Sequence, residues 1–475
     1  MTHTITNRCN ICALILLLFS LAGKAGAQTL DESRILAEDG NLDEAVTMLR
    51  TIVAQDPKET EAALMLGDLL WNSGNDSEAI EILEGVRKRG NRDATLQLAR
   101  IALYRYDLGH ARELLAAYRK SLRQGKRQLA EDLSGNLEGQ IDKVEGMLDR
   151  VQNIEVIDSV DVDAEEFFRH YPISPAAGRL LGPEALPENF PSDLQTMAHI
   201  TESGGRMVWS APDDDGNSRL YGSSALLGNE WETPHLLGEE LAEGGDAAYP
   251  FLMPDGVTLY YANDGENSLG GYDIYLSRMG EDGFLQPANV GMPFNSPYND
   301  YLLVIDEYTG AGWFATDRNR HPGKVTIYTF IPQDLRVNVD VGSPHLSSLA
   351  RLDNIALTRK EGADYHAIAK AIRDGQAMGA APDSAPDFLF AMPGDRVYTS
   401  MADFRDPRAK AAMKEYLSKK KKLSGGTSRL EELRDAYRRG DRSQSSLIIE
   451  LEDQMDNARA ELRSLRDNVI KLEQH

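Results

Sequence analysis

The stretch Pro250-Phe251-Leu252-Met253-Pro254-Asp255-Gly256-Val257-Thr258-Leu259-Tyr260-Tyr261, continued by Gly270-Gly271-Tyr272-Asp273-Ile274-Tyr275, decides the reading of this chain. Asp255-Gly256 is a hairpin dipeptide, since glycine accepts the left-handed backbone that tight turns between antiparallel strands require. The aromatic residues that follow at strand spacing are suited to filling the space between packed sheets.

The same pattern recurs on both sides. Met207-Val208-Trp209-Ser210 corresponds to Leu259-Tyr260-Tyr261-Ala262 and to Gly312-Trp313-Phe314-Ala315. Trp209, Tyr261 and Phe314 lie 52 and 53 residues apart. Each precedes a polar turn: Asp213-Asp214-Asp215-Gly216, Asn263-Asp264-Gly265 and Asp317-Arg318-Asn319. A second strand follows at Leu220-Tyr221, Asp273-Ile274-Tyr275 and Thr326-Ile327-Tyr328, and units open at Tyr249-Pro250-Phe251-Leu252 and Tyr301-Leu302-Leu303. A period near 50 residues belongs to propeller-like arrays. The central unit resembles the TolB-type propeller repeat, in which a Pro-Asp-Gly turn precedes an aromatic strand. Asp255, Gly256, Tyr261, Gly271, Tyr275, Phe314 and Tyr328 carry that resemblance. Three blades do not close a ring. Phe390-Ala391-Met392-Pro393-Gly394-Asp395-Arg396-Val397-Tyr398 echoes Phe251 to Tyr260 with one residue deleted and is read as a fourth. The expectation is a small propeller of four or five blades, closed or incomplete, with Ile154 to Val162 as a completing strand. An open stack of strands is the competing reading.

Towards the N-terminus the period changes to that of helices. Gly40-Asn41-Leu42-Asp43-Glu44-Ala45 recurs as Gly74-Asn75-Asp76-Ser77-Glu78-Ala79 and loosely as Asp107-Leu108-Gly109-His110-Ala111. The alanines stand 34 and 32 residues apart, each followed four residues later by Leu49, Leu83 or Leu115. Pro57 closes the first unit, and Leu66-Gly67 lies in the second. These residues resemble the tetratricopeptide repeat, defined here by Ala45, Gly67, Ala79 and Ala111. That resemblance implies an α-solenoid that binds peptides or protein segments on a concave face. A helix to Val151, with Leu137, Ile141, Val144 and Leu148 on one face, is expected to cap the array; a plain helical bundle is the alternative.

The first residues read as an export signal: Arg8, the apolar run Ile11 to Leu21, then Ala25-Gly26-Ala27 as a cleavage site. Cys9 and Cys12 both fall inside it, so disulfides, thiolate metal sites and thiol catalysis are not expected in the mature chain. The net charge of −24 opposes nucleic-acid binding. At the other end, Leu451, Met455, Ala458, Leu462, Leu465, Val469 and Leu472 alternate spacings of four and three, a coiled-coil seam. It is expected to fold back on the helix Arg429 to Arg439 or to pair with another copy. Lys419 to Lys422 is the longest basic run in an acidic chain.

Chemistry is sparse. Gly216-Asn217-Ser218-Arg219-Leu220 lacks the last glycine of a nucleophile elbow, and there is no phosphate loop or His-Glu-x-x-His motif. Asp213, Asp214 and Asp215 read as a turn rather than a calcium loop, because no bidentate glutamate follows. No catalytic residue, metal ligand or cofactor site is expected. Exposed aromatics near turns, Trp231 and Tyr272, are the candidate partner contacts, with simple packing as the other reading.

The expected organisation is multidomain, α plus all-β: signal 1–27, tetratricopeptide-like repeats 28–151, connection 152–196, propeller repeats 197–333, helical insertion 334–386, degenerate propeller strands 387–405, and C-terminal helices with a coiled coil 406–475. This order resembles envelope proteins of Gram-negative bacteria with type IX secretion and gliding machinery, in which such repeats precede a TolB-like propeller. The resemblance implies a periplasmic or outer-membrane-associated scaffold binding envelope proteins or peptide segments. The chain departs from those relatives in having no lipidation cysteine and no peptidoglycan-binding domain. Self-association through the coiled coil is expected; nucleic-acid binding, and a membrane span once the signal is removed, are not. A glycan-binding or glycan-cleaving propeller is the alternative.

Overall fold

The computed structural model describes residues 26–122, 127–226, 230–242, 244–280, 283–333, 335–360, 362–373, 390–392, 396–398, 401–419 and 445–474, with positions 422, 433 and 442. The expected signal run, Lys420 and Lys421, Gly425-Gly426 and nearly all of the helix Arg429 to Arg439 lie outside them. Two compact units emerge, residues 1–146 with 319–323, and residues 147–318 with 324–475. Among the described residues no helix is long and apolar enough to cross a membrane.

The first unit is a run of helices: α1 (Gly26–Glu38), α2 (Leu42–Gln55), α3 (Thr60–Asn72), α4 (Asp76–Lys88), α5 (Arg92–Tyr104), α6 (Leu108–Ser121) and α7 (Arg127–Leu148). Its repeat is set by small residues and by one turn geometry. Ala45, Ala79 and Ala111 are completely buried. At Gly67 in α3 an added Cβ would lie 2.7 Å from the Leu83 side chain in α4, so the two helices meet at a distance only glycine permits. Between paired helices the chain takes a left-handed residue, Gly40 at φ 82° and Gly74 at φ 78°. The next N–H then bonds back five residues, Asn41 to Leu36 O and Asn75 to Leu70 O, both at 2.8 Å. This closes the helix end in a Schellman motif. The third pair does the same with Tyr106 at φ 59° and Asp107 N–H to Ala102 O at 2.9 Å. The third repeat is therefore degenerate in sequence but not in backbone. Leu137, Ile141 and Val144 of α7 are buried as one face, and Arg112 of α6 reaches Asp142 and Glu145 of α7 at 2.9 and 2.7 Å. Residues 319–323 count with this unit through Arg320, whose guanidinium stacks 3.8 Å over the Trp71 ring.

The second unit begins with β1 (Glu155–Asp163) and continues with β2 (Arg179–Leu181), β3 (Ala198–Ile200), β4 (Arg206–Pro212), β5 (Ser218–Ser224) and β6 (His235–Leu236). Next come β7 (Ala247–Leu252), β8 (Thr258–Asn263), β9 (Asp273–Arg278) and β10 (Ala288–Asn289), then β11 (Asp300–Asp306), β12 (Ala311–Thr316) and β13 (Lys324–Ile331). They form three antiparallel sheets, ordered β2-β3-β4-β5-β6, β10-β9-β8-β7 and β1-β13-β12-β11. The repeat expected from spacing is a repeat of cross-strand pairs. Trp209 faces Tyr221, Tyr261 faces Tyr275, and Phe314 faces Tyr328. Their rings stack at centroid distances of 5.9, 6.1 and 5.3 Å.

Each pair is buried against the sheet before it. Tyr261 and Tyr275 share a core with Val208 and Leu220 of the first sheet, and Phe314 and Tyr328 share one with Ile274 of the second. The first sheet has no predecessor, and its pair is covered instead by Phe190, stacked 4.9 Å from Trp209. His199 of β3, fully buried, joins the first two sheets: its Nε2 meets Ala177 O at 2.9 Å and its Nδ1 accepts the Leu252 N–H at 3.3 Å. This fixes the neutral tautomer with the proton on Nε2, and burial lowers the imidazole to about 4.

The far end of the stack departs from expectation. β1 pairs antiparallel with β13 from Glu155↔Ile331 to Asp163↔Lys324, so the expected completing strand adds to the third sheet. The other face of that sheet, around Trp313 and Ile327, is covered by Phe167, Phe168, Tyr171 and α9 (Tyr365–Arg373). Ser347 to Arg373, within the expected helical insertion 334–386, is helical in successive pieces. A short α8 (Leu346–Arg351), a 3-10 turn at Ile355–Thr358 and α9 follow one another, with Leu352 buried at φ 54° between the first two. The hairpin β14 (Phe390–Met392) and β15 (Arg396–Tyr398), expected as a fourth blade, pairs only with itself among the described residues. Its Tyr398 packs edge-on to Phe404, 4.8 Å away, in a cluster with Met413 of α10 (residues 407–419) and Leu462 and Val469 of α11 (Ser445–Gln474). Local resemblance to one hairpin does not carry the flanking aromatic pair that seats a sheet in the stack. On the α11 seam, Leu462 and Val469 are thus covered within the chain by residues of α10, while the expected contact with the helix Arg429 to Arg439 falls outside the described residues.

Candidate functional site

The site grows from an irregularity shared by the second and third sheets. β7 slips register between Ala248 and Phe251, and β11 does so between Tyr301 and Val304. At each bulge a non-glycine residue is left-handed, Tyr249 at φ 53° and Leu302 at φ 41°. Such backbone is costly for a side-chain-bearing residue and persists where its surroundings hold it. At Leu302 the restraint is visible: the buried Tyr171 hydroxyl donates to its carbonyl at 2.9 Å.

The bulges bring three tyrosines together. Tyr249 lies 5.2 Å from Tyr301 and 6.2 Å from Tyr272, and Tyr272 lies 6.1 Å from Tyr301, centroid to centroid. Phe167 closes the group from beneath the rings of Tyr249 and Tyr301, at 5.4 and 5.5 Å. Tyr272 reaches this position because Gly270-Gly271 lets the chain press against the next unit. A Cβ on Gly271 would fall 2.0 Å from Asn299 Oδ1, and one on Gly270 2.0 Å from Pro297 O.

Two carboxylates occupy repeat-related positions after the central strands. Asp264 follows β8 and accepts the Asp246 N–H at 2.7 Å; Asp317 follows β12 and accepts the Asn299 N–H at 2.8 Å. Asp246 and Asn299 in turn hold the preceding sheet, accepting the Ser218 and Tyr272 N–H groups at 2.8 and 3.0 Å. Asp317 Oδ2 also takes the Asn299 amide at 2.7 Å and the Tyr301 hydroxyl at 3.5 Å. A buried pair supports them from below, Arg318 to Asp300 at 2.6 Å, with Arg318 also donating to Pro293 O and Phe294 O.

Burial raises the Asp264 and Asp317 carboxyls above the ordinary carboxylate range. Burial also raises the phenols, Tyr249 to about 12 with Asp193 assisting, Tyr272 with Asp264 and Asp246 assisting, and Tyr301 with Asp317 assisting. All three phenols therefore stay protonated at neutral pH. They offer hydroxyls and ring faces, not nucleophiles or bases, which is equipment for binding.

Of the aromatics singled out from sequence, Tyr272 is in this group and Trp231 is not. Trp231 is partly buried 6.5 Å from Phe190, beside the cover of the first sheet. Asp255, Gly256, Tyr261, Gly271, Tyr275, Phe314 and Tyr328 build the sheets. Asp255 accepts the Val257 and Thr258 N–H groups at 2.9 and 2.8 Å, with Gly256 at φ 68°. Asp213 likewise accepts the Asp215 and Asn217 N–H groups at 3.0 and 2.9 Å, the behaviour of a turn residue. Sequence reasoning missed Tyr249, Tyr301, Asp264 and Asp317 as a group. The available signal was the polar residue three places after Tyr261 and after Phe314, which turn propensity alone also explains.

A family model described as the tetratricopeptide repeat matches residues 36–101, from the last turn of α1 into α5. No curated protein matches the chain. The helices there and that match agree, so residues 36–101 carry tetratricopeptide repeats and the strand-rich unit follows them.

Proposed function

We propose that this chain is a non-enzymatic scaffold or adaptor that binds protein partners through its helical repeats and its stacked sheets, as an exported protein of the cell envelope. The reading rests on the tetratricopeptide match over residues 36–101, a repeat whose stacked helices expose a surface suited to peptide segments. The sheet unit is read as a short, propeller-type stack offering a second surface, with protonated tyrosines where a catalyst would need an activated group. Export is read from Arg8, the run Ile11 to Leu21 and Ala25-Gly26-Ala27.

The test is proximity crosslinking of the full chain in an intact Gram-negative envelope, followed by reconstitution of each crosslinked protein with the purified chain. Saturable binding to a defined protein, together with an intact mass lacking residues 1–27, is expected. Turnover of any member of a glycan panel by the same preparation, or absence of any reconstituted partner, overturns the reading.

A further inference from the structure

The group formed by Tyr249, Tyr272 and Tyr301 has more recognition capacity than its own packing uses. The hydroxyls of Tyr249 and Tyr272 have no hydrogen-bond partner among the described residues, although both rings are largely enclosed. Asp193, Asp246 and Asp264 act electrostatically on Tyr272, and each spends one oxygen on its own surroundings. Asp193 Oδ1 takes the Gln195 N–H at 2.9 Å, Asp246 Oδ1 the Ser218 N–H at 2.8 Å, and Asp264 Oδ1 the Asp246 N–H at 2.7 Å. The second oxygen of each is unpartnered among the described residues.

The nearby cations are committed elsewhere. Arg318 is held by Asp300 and two carbonyls; Arg219 lies 3.3 Å from Asp213 and donates to Gly245 O at 2.9 Å. Leu194, next to Asp193 in sequence, is 88% exposed.

We propose that this group receives a cationic side chain, lysine or arginine, presented by a peptide segment of a protein partner. Three clustered phenol rings attract a cation through their quadrupoles, and the carboxylates that act on them neutralise it. An alkyl stem finds the ring edges. The chain's net charge of −24 favours the same partner at long range. The inference rests on the adaptor reading and narrows it to one chemistry at one place.

The experiment uses the full chain. A random twelve-residue peptide library displayed on phage is selected against it, and enriched peptides are remade with each arginine replaced by citrulline, or each lysine by acetyl-lysine. Peptides with a required cation are expected, weakened at least about tenfold by that neutralisation. They should weaken similarly against Asp264→Asn, which keeps the Asp246 contact, and against Tyr272→Phe, which keeps the ring. Thermal melting of both variants checks that they fold; if either does not, Asp193→Asn replaces it. Peptides that bind without a cation, or bind the variants as well as the parent, overturn the inference and leave the adaptor reading standing. A library yielding no binder overturns both.

Discussion

In the helical unit the repeat is written in what is missing. Ala45, Ala79 and Ala111 are fully buried, and Gly67 leaves no space for even one carbon before Leu83. In the sheet unit it is written in bulk, because Trp209, Tyr261, Tyr275, Phe314 and Trp313 are among the largest fully buried side chains. Helices repeat by approaching closely, so the informative residues are small. Stacked sheets repeat at a separation of about 10 Å, and that gap must be filled. One sequence can hold two periodicities of similar strength that leave opposite compositional traces.

The comparison breaks most easily at Trp313. Truncation to alanine removes a fully buried indole from between the third sheet and α9, and should destabilise the sheet unit by about 3–5 kcal/mol. Urea unfolding followed by near-ultraviolet and 222 nm circular dichroism should show the aromatic signal moving to lower urea ahead of the helical one. Coincident shifts would mean that the units are not energetically distinct.

Acid sharpens the contrast, because the sheet unit contains a buried histidine as a joint. Folded His199 titrates near 4, below the 6.5 of an unperturbed imidazole, so the folded chain binds fewer protons in that window. Its stabilisation is complete above about 6.5 and is lost as pH falls towards 4, by up to about 3 kcal/mol. Denaturant midpoints between pH 4 and 7 should follow that slope, and His199→Gln should flatten it.

The smallest expected effect lies in the helical unit. Gly40 is left-handed with nothing within 4 Å of the place a methyl group would take, so Gly40→Ala should cost about 1 kcal/mol through backbone strain alone. A neutral thermal melt would show that the turn geometry at Gly74 and Tyr106 tolerates relaxation and that close helix approach dominates instead.

Much of this was legible in sequence because each repeat reports its own physics. The recurring Gly-Asn pairs mark where the paired helices are joined, and the spacing of Trp209, Tyr261 and Phe314 marks three repeated aromatic strands. The rest needed long-range geometry. Nothing local marks Tyr249 or Leu302 as left-handed, since neither is glycine or asparagine. Nor does Asp264 declare that its partner is Asp246, eighteen residues earlier. The hairpin at Phe390 to Tyr398 matches one blade in its letters, yet among the described residues it pairs only with itself, and its place depends on contacts that local sequence does not encode.

β1 has a consequence in time. It is made first but pairs with β13, and the contact from Asp163 to Lys324 spans 161 residues. At a ribosomal pace of 5–20 residues per second, the earlier strand waits roughly ten to thirty seconds for its neighbour. During that interval β1 keeps an unpaired edge that any extended segment of another chain can pair with. Crowded synthesis at high expression thus favours entangled dimers joined through this edge, and slowing initiation is the remedy the topology recommends.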